Sequence, residues 1–417
     1  MEDSVIKLLP ESVVNRIAAG EVIHRPVNVA KELIENCLDA GASQITVTVA
    51  QGGIPYLSVQ DNGKGMCRSE LEIACERHTT SKLRQFDDLL SLSTYGFRGE
   101  ALASISQVAE VTITSRVENA KCAYKAEYKG GKLKSAVRPS AGVVGTIITV
   151  ENLFYNAAMR RSTLKSASEE LRKLVDIVGK TAIHNAQVGF LLKKRGERSP
   201  VLVTPRNSTP KNNIGTVYGL LLKEDLLTVE PHNNPSLGFS VDQCLISDPS
   251  FNSGRTFRLV LFINNRLVKC PAMARGIHMA FLRFIPGSVH PFCYLSLKVP
   301  PENVDVNMHP TKSQVNILHQ SEIIDRIMAL IEERLLAHKG PHLRANTQLS
   351  FGSNPLSGRL PLTDVEVELR EHKKTEICSS HLNTQKKRYD RQPTTDDPSL
   401  ACSTVVQAPS DEKVSTV

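Results

Sequence analysis

Four short strings within the first hundred residues constrain this chain more than anything else in it. They are Lys31-Glu32-Leu33-Ile34-Glu35-Asn36, Asp61-Asn62-Gly63-Lys64-Gly65, Thr79-Thr80-Ser81-Lys82 and Gly96-Phe97-Arg98-Gly99-Glu100-Ala101-Leu102. Each can carry one part of a nucleoside triphosphate site, and a fold that uses them must bring all four together. Glu32 and Asn36 lie four apart on an expected helix, so they project from one face about 6 Å apart along the axis. From there a carboxylate can orient and deprotonate water while an amide oxygen coordinates magnesium. Glu35 is about 100° around the helix from Asn36 and points elsewhere.

Asp61 can accept from an adenine amino group, and the glycines after it let the backbone come close to the ring. Gly96 and Gly99 bracket Phe97 and Arg98 before helical character resumes at Glu100, so the loop amides can hold phosphate oxygens at a helix N-terminus. Thr79, Thr80 and Lys82 add hydroxyls and positive charge for the same anion. Taken singly, each string also has an ordinary reading: a polar helix face, an Asn-Gly hairpin turn or a surface loop. Gly179-Lys180-Thr181 is no P-loop, because Leu174 stands where that motif needs glycine and the string falls within an expected helix.

Hydrophobic spacing places helices over Val13–Ala19, Val29–Leu38 and Ser168–Ile183, with Gly41 stopping the second. Ile45, Val47 and Val49 alternate with threonines as a half-buried strand, and Ile54–Gln60 returns from a turn at Gln51-Gly52-Gly53 to end at Asp61. Further strands are expected at Val108–Ser115, Cys122–Tyr128 and Thr146–Val150. This irregular order indicates α+β, one helix layer on a sheet, rather than a doubly wound parallel fold. The stretch Arg195–Asn213, with three prolines, reads as a boundary or exposed connection. A second unit follows, with a strand at Arg258–Ile263, a turn at Asn264-Asn265, a helix over Ala272–Phe284, a strand at Phe292–Val299 and a closing helix at Glu322–Leu336. The expected division is 1–205, 206–338 and a disordered tail 339–417, where apolar periodicity fades. Within the tail, Gln385-Lys386-Lys387-Arg388 is a short basic cluster of the kind found in nuclear localisation signals or simply on solvated chain.

No run approaches the roughly 18–20 apolar residues of a membrane span, and Glu2 and Asp3 leave the N-terminus unlike a signal peptide. The expected location is therefore cytosol or nucleus, without membrane. The nine cysteines are scattered without ligand spacing and read as reduced thiols. Of the +8 net charge, the tail from Lys339 contributes only +1, so the folded part carries +7. That surface is compatible with binding a phosphate backbone, or is simply basic.

In order and spacing the four strings resemble the GHKL ATPases, which include gyrase B, the ninety-kilodalton heat-shock chaperone, sensor histidine kinases and MutL. The flanking blocks look like MutL: Asn15-Arg16-Ile17-Ala18-Ala19-Gly20-Glu21-Val22, Lys31 to Ala40, Thr94 to Ile105, Leu153-Phe154-Tyr155-Asn156 with Arg160-Arg161, and Asp305-Val306-Asn307-Met308-His309-Pro310-Thr311-Lys312. The similarity covers about residues 4–336. Cys37 and Ser93-Thr94-Tyr95 look most like the eukaryotic branch that supplies the constant subunit of the family's heterodimers.

This resemblance implies a GHKL-type ATPase α/β sandwich followed by a smaller α/β domain like domain 2 of ribosomal protein S5. Carried over by position, it makes Glu32 the catalytic base, Asn36 the Mg2+ ligand and Asp61 the adenine-reading acid. Gly65 lies beside the base, and Thr146 supports adenine recognition. Thr80, Ser81, Lys82 and the amides of Gly96, Phe97, Arg98, Gly99, Glu100, Ala101 and Leu102 would contact phosphates, and Lys312 would reach the γ-phosphate from the second domain. The implied cofactors are ATP and Mg2+, and the implied function is slow hydrolysis that gates N-terminal association into a DNA clamp in mismatch repair. The implied partners are mismatch-containing DNA bound through its backbone, a PMS-type MutL homologue and MutS-type recognition proteins, in the nucleus. MutL proteins continue into a C-terminal dimerisation domain, whereas this chain stops within what reads as the linker, which leaves constitutive dimerisation open. Endonuclease activity is not expected either, since the Asp-Gln-His-Ala string of nuclease-bearing paralogues is missing. Two rival readings remain: another GHKL ATPase, and a truncated form that holds ATP and DNA without signalling.

Overall fold

The computed structural model describes residues 8–82, 94–96, 99–164, 166–249, 251, 256–285, 290–305 and 316–339. Phe97, Arg98, Lys312 and the tail from 340 lie outside the described residues.

The chain begins with α1 (Glu11–Val22) and α2 (Pro26–Asp39). Asn28 starts α2 by accepting the Arg25 N–H on Oδ1 at 2.9 Å, and Pro26 supplies a helical φ where no donor is needed. Val29, Ala30, Leu33 and Ile34 form its buried stripe. The helix ends at Asp39, and Gly41 takes the left-handed φ of 72° that turns the chain towards the sheet.

Next come β1 (Gln44–Ala50), β2 (Tyr56–Asp61), α3 (Arg68–Ile73), α4 (Ala101–Val108), β3 (Glu110–Arg116) and β4 (Ala123–Lys129). The short β5 (Lys132–Leu133) and β6 (Arg138–Ser140) precede β7 (Gly145–Glu151), α5 (Ala158–Thr163), α6 (Ala167–His184), β8 (Gly189–Lys194) and β9 (Leu202–Thr204). The nine strands run β5-β4-β3-β7-β2-β1-β8-β9, with β6 on β4. Ile45, Val47 and Val49 point from β1 into the core beneath α2 and α6. Burying side chains of this size is worth about 1.5–3 kcal/mol each. Central placement of β2 between β1 and β7 puts Asp61 and Thr146 opposite each other as register partners.

The proline-containing stretch from Arg195 to Asn213 is more ordered than its composition indicates. Residues 202–204 form the edge strand β9, and α7 (Pro210–Tyr218) starts at Pro210 with Thr209 capping the Asn212 N–H at 3.2 Å. Proline is at home at the first helical position, so Pro210, read as part of a boundary or exposed connection, is a helix start. Val108 likewise closes α4 and does not open β3.

After α8 (Leu220–Glu224) come β10 (Leu226–Val229), β11 (His232–Asn234), β12 (Phe239–Ser247), β13 (Arg258–Ile263), β14 (Arg266–Leu267), α9 (Pro271–Leu282) and β15 (Phe292–Lys298). They form a six-stranded sheet, β10-β12-β15-β13-β14 with β11 on β12. Then β16 (Val304–Asp305) pairs with β17 (Asn316–Ile317), and α10 (Gln320–Lys339) packs with α9 over the sheet. A separate cluster of Ile183, Ile214, Val260, Phe262, Phe292 and Tyr294 joins α6 and α7 to the second sheet. One helix, α6, thus buries residues in two cores.

Candidate functional site

All four strings meet in one cavity of about 650 Å³, inside the range of small-molecule sites. Glu32 and Asn36 line it from α2, Asp61, Gly65 and Thr146 from the sheet, and Thr80, Ser81 and Lys82 from the segment after α3. Gly96, Gly99, Glu100, Ala101 and Leu102 line it from the loop leading into α4. Among the sequence candidates, Phe97, Arg98 and Lys312 lie outside the described residues.

At the sheet end, Asp61 is buried and accepts the Gly63 N–H on Oδ1 at 2.8 Å. Burial pushes its pKa up, countered by that N–H, the Cys37 thiol and the Thr146 backbone. The Cys37 thiol is itself pushed well up by burial and then by Asp61, which keeps it a protonated donor. Ser115 Oγ bridges Thr146 Oγ1 at 2.9 Å and the Met66 N–H at 2.8 Å. Gly65 is demanded on two counts: its φ is +73°, and a Cβ there would sit 2.2 Å from the Arg116 carbonyl oxygen.

The other end is a lattice of charges along one face of α2. Lys82 Nζ donates to Asn36 Oδ1 at 2.8 Å and to Asp39 Oδ2 at 2.6 Å. Asp39 also accepts the N–H groups of Tyr95 and Gly96, at 2.9 and 3.1 Å. It therefore fastens the start of the glycine loop to the helix that carries Glu32. A Cβ on Gly96 would stand 2.9 Å from Lys82 Nζ, so glycine makes room for that lysine. Lys31 lies 2.7 Å from Glu35 and 3.8 Å from Glu32. Burial pulls the Lys31 ammonium down, yet the two glutamates outweigh it and hold its pKa raised. Glu35 stays outside the cavity lining, as its angular offset on the helix requires.

The Asn36 amide oxygen fits magnesium: it is a ligand of the kind a hard divalent ion takes, it lines the cavity, and it already faces a cation, the Lys82 ammonium. Backbone N–H groups at the start of α4, with Glu100 as its N-cap, suit phosphate.

Sequence reasoning missed Asp39, Ser115 and Arg77. Arg77 donates to Asn15 Oδ1 at 3.1 Å and stands 4.0 Å from Glu100, linking α1 to the start of α4. Asp39 was within reach, since it lies three residues beyond Asn36 on the same helical face. Arg77 and Ser115 follow no local motif.

Comparison with known proteins adds an independent line. Residues 24–138 match the family described as histidine kinase-, DNA gyrase B- and HSP90-like ATPase. Residues 214–336 match that described as DNA mismatch repair protein, C-terminal domain. The chain is 42% identical over 363 residues to the DNA mismatch repair protein Mlh1 of Dictyostelium discoideum, covering 79% of this chain and 41% of that protein. It is 38% identical over 393 residues to MLH1 of Saccharomyces cerevisiae, covering 93% and 51% respectively. The chain thus spans about half the length of these curated relatives. Among solved structures, the N-terminal domain of a DNA repair protein superposes with TM-score 0.67 at 26% identity, over 78% of this chain and 98% of its own. The Aquifex aeolicus MutL ATPase domain complexed with ADP shares the fold, with TM-score 0.52 at 22% identity over 74% and 98%.

Proposed function

The chain belongs to the MutL family of DNA mismatch repair proteins, and on that premise we propose that it is a slow Mg2+-dependent ATPase whose nucleotide state gates its work on DNA. Its fold is α+β, a GHKL-type ATPase sandwich followed by an α/β part of the ribosomal-protein-S5-like kind. In this reading the boundaries are 1–205 for the first domain and 206–338 for the second, with 339–417 as linker. The observation that carries the ATPase reading is the convergence of Glu32, Asn36, Asp61, Lys82, Gly96 and Gly99 to Leu102 on one cavity.

The roles are those that the family resemblance assigns to these places in the sequence. Asp61, with Thr146 opposite, reads the adenine amino group, and Gly65 gives the ring its clearance. The amides from Gly96 to Leu102, with Thr80, Ser81 and Lys82, receive the phosphates, and Lys312 reaches the γ-phosphate from the second domain. Bound magnesium, held by Asn36, would offset phosphate charge. Glu32 aims a water at the γ-phosphorus: the water oxygen bonds to phosphorus, the bond to the bridging oxygen of ADP breaks, and the water proton passes to the carboxylate.

ATP-gated association of two N-terminal regions then forms a clamp on DNA, bound through its backbone by the basic folded part. A PMS-type homologue and MutS-type recognition proteins are the partners in this scheme, and the nucleus is the location. Among the described residues no helix is long and apolar enough to cross a membrane.

The deciding experiment is Glu32→Ala. We expect it to keep ATP binding and lose hydrolysis by about 10²-fold or more, the scale of a general base. Unchanged hydrolysis would remove Glu32 from its role.

A further inference from the structure

The β13–β14 hairpin turns on Asn264 and Asn265, both left-handed at φ 49° and 65°. Its residues each hold something different. Asn264 ties the turn to its own sheet, donating to the Val299 carbonyl at 2.7 Å and accepting the Val299 N–H at 2.9 Å. Asn265 Oδ1 meets His184 Nε2 at the end of α6, 3.1 Å away. Arg266 goes furthest: its Nη2 donates to the carbonyl of Thr94 at 3.0 Å.

Thr94 immediately precedes the two amides that Asp39 holds. The start of the glycine loop is therefore gripped from two sides, by an aspartate of the helix that carries Glu32 and by an arginine of the second sheet. Tyr95 adds a third hold, its hydroxyl donating to Asn185 Oδ1 at 3.2 Å. Arg266 also faces the carboxylates of Glu35, Asp39 and Glu32. Burial lowers its pKa, and those three acids act against that fall. A guanidinium suits the position because one planar fork can hold a carbonyl while facing carboxylates.

We propose that Arg266 is a positioning residue for the hydrolysis site, through which the second sheet holds the start of the glycine loop by the Thr94 carbonyl. A shift of the Thr94–Gly96 backbone then requires the β13–β14 hairpin to move with it or to release it, so the position of this segment is passed to the second sheet through the Arg266–Thr94 bond. The kinetic consequence rests on the ATPase reading; the structural one does not.

The test compares Arg266→Ala, Arg266→Gln and Arg266→Lys with the wild-type chain, reading amide hydrogen exchange and steady-state ATP hydrolysis. In the Ala and Gln variants the Tyr95 and Gly96 amides should exchange about tenfold faster, the scale of one lost charge-assisted bond, while β1 amides keep their rates. The same variants should lose about tenfold in kcat with KM for ATP within about twofold, because the loop is misplaced while the adenine end is untouched. Arg266→Lys should recover part of both. Wild-type exchange at Tyr95 and Gly96, or equal acceleration of every amide, would overturn the proposal. Should the wild-type chain hydrolyse no more ATP than Glu32→Ala, the ATPase reading fails and the exchange rates alone decide the role of Arg266.

Discussion

Gly41 and Gly65 have nearly the same backbone, φ +72° and +73°, yet they carry different loads. A Cβ on Gly41 meets nothing within 4 Å, whereas one on Gly65 collides with the Arg116 backbone. Gly41→Ala should therefore cost about 1 kcal/mol from φ alone, and Gly65→Ala on the order of 2–4 kcal/mol. Paired thermal melts check this, and equal losses would show that the Arg116 contact relaxes freely. At this scale much of the candidate site was legible. Helical spacing put Glu32 and Asn36 on one face, and the glycines of the second string were read as clearance for a bound ring, whereas Gly65 also clears the Arg116 backbone. Cys37 and Ser115 were not legible as partners of Asp61 and Thr146, because a hydrogen bond between distant elements leaves no spacing in the sequence.

The helix α6 ends at a histidine that the second sheet holds. His184 stacks on Phe262 at 3.9 Å between ring centroids, and its Nδ1 and Nε2 meet Tyr294 and Asn265 at 3.0 and 3.1 Å. Burial lowers its pKa below the ordinary value of 6.5, against weaker upward pulls from Asn265 and Asp242. The unfolded chain therefore binds this proton more readily than the folded one, and stability falls as pH drops below about 6.5. His278, lowered by burial and by His290, adds to the same trend. Melting temperature should decline from pH 7 to pH 5, and His184→Gln should flatten the decline. A wild-type slope in that variant would place the sensitivity elsewhere. Elements were read well where periodicity was strong, as in α2, β1 and β13. The region around α7 was misread because proline marks a helix start as readily as a break. The strands β10 and β11 went unseen because strands this short are specified by their neighbours, and the nine-residue β12 because a register shift between Val241 and Gln243 interrupts its alternation.

Across the whole molecule, α+β was legible from the irregular order of helices and strands, and the S5-like second part only from resemblance. The crossed contacts between the two sheets, in the α6–α7 cluster and at Arg266, were not, because they join residues far apart in sequence. If ATP gates association, sedimentation with a non-hydrolysable ATP analogue and Mg2+ should show a heavier species than the chain alone. A persistent monomer under both conditions would remove the clamp for this chain. The central position of β2 has a further consequence, for the order in which the protein is made. Ser58 of β2 meets Thr149 of β7, a partner 91 residues later in the chain, and Asp61 and Thr146 lie opposite each other in that same ladder. As the polypeptide leaves the ribosome, the Asp61–Thr146 end of the cavity has no existence until β7 has emerged and zipped alongside β2, an intrinsically slow, non-local step. On the ATPase reading, a nascent chain is thus blind to nucleotide until its first sheet has closed.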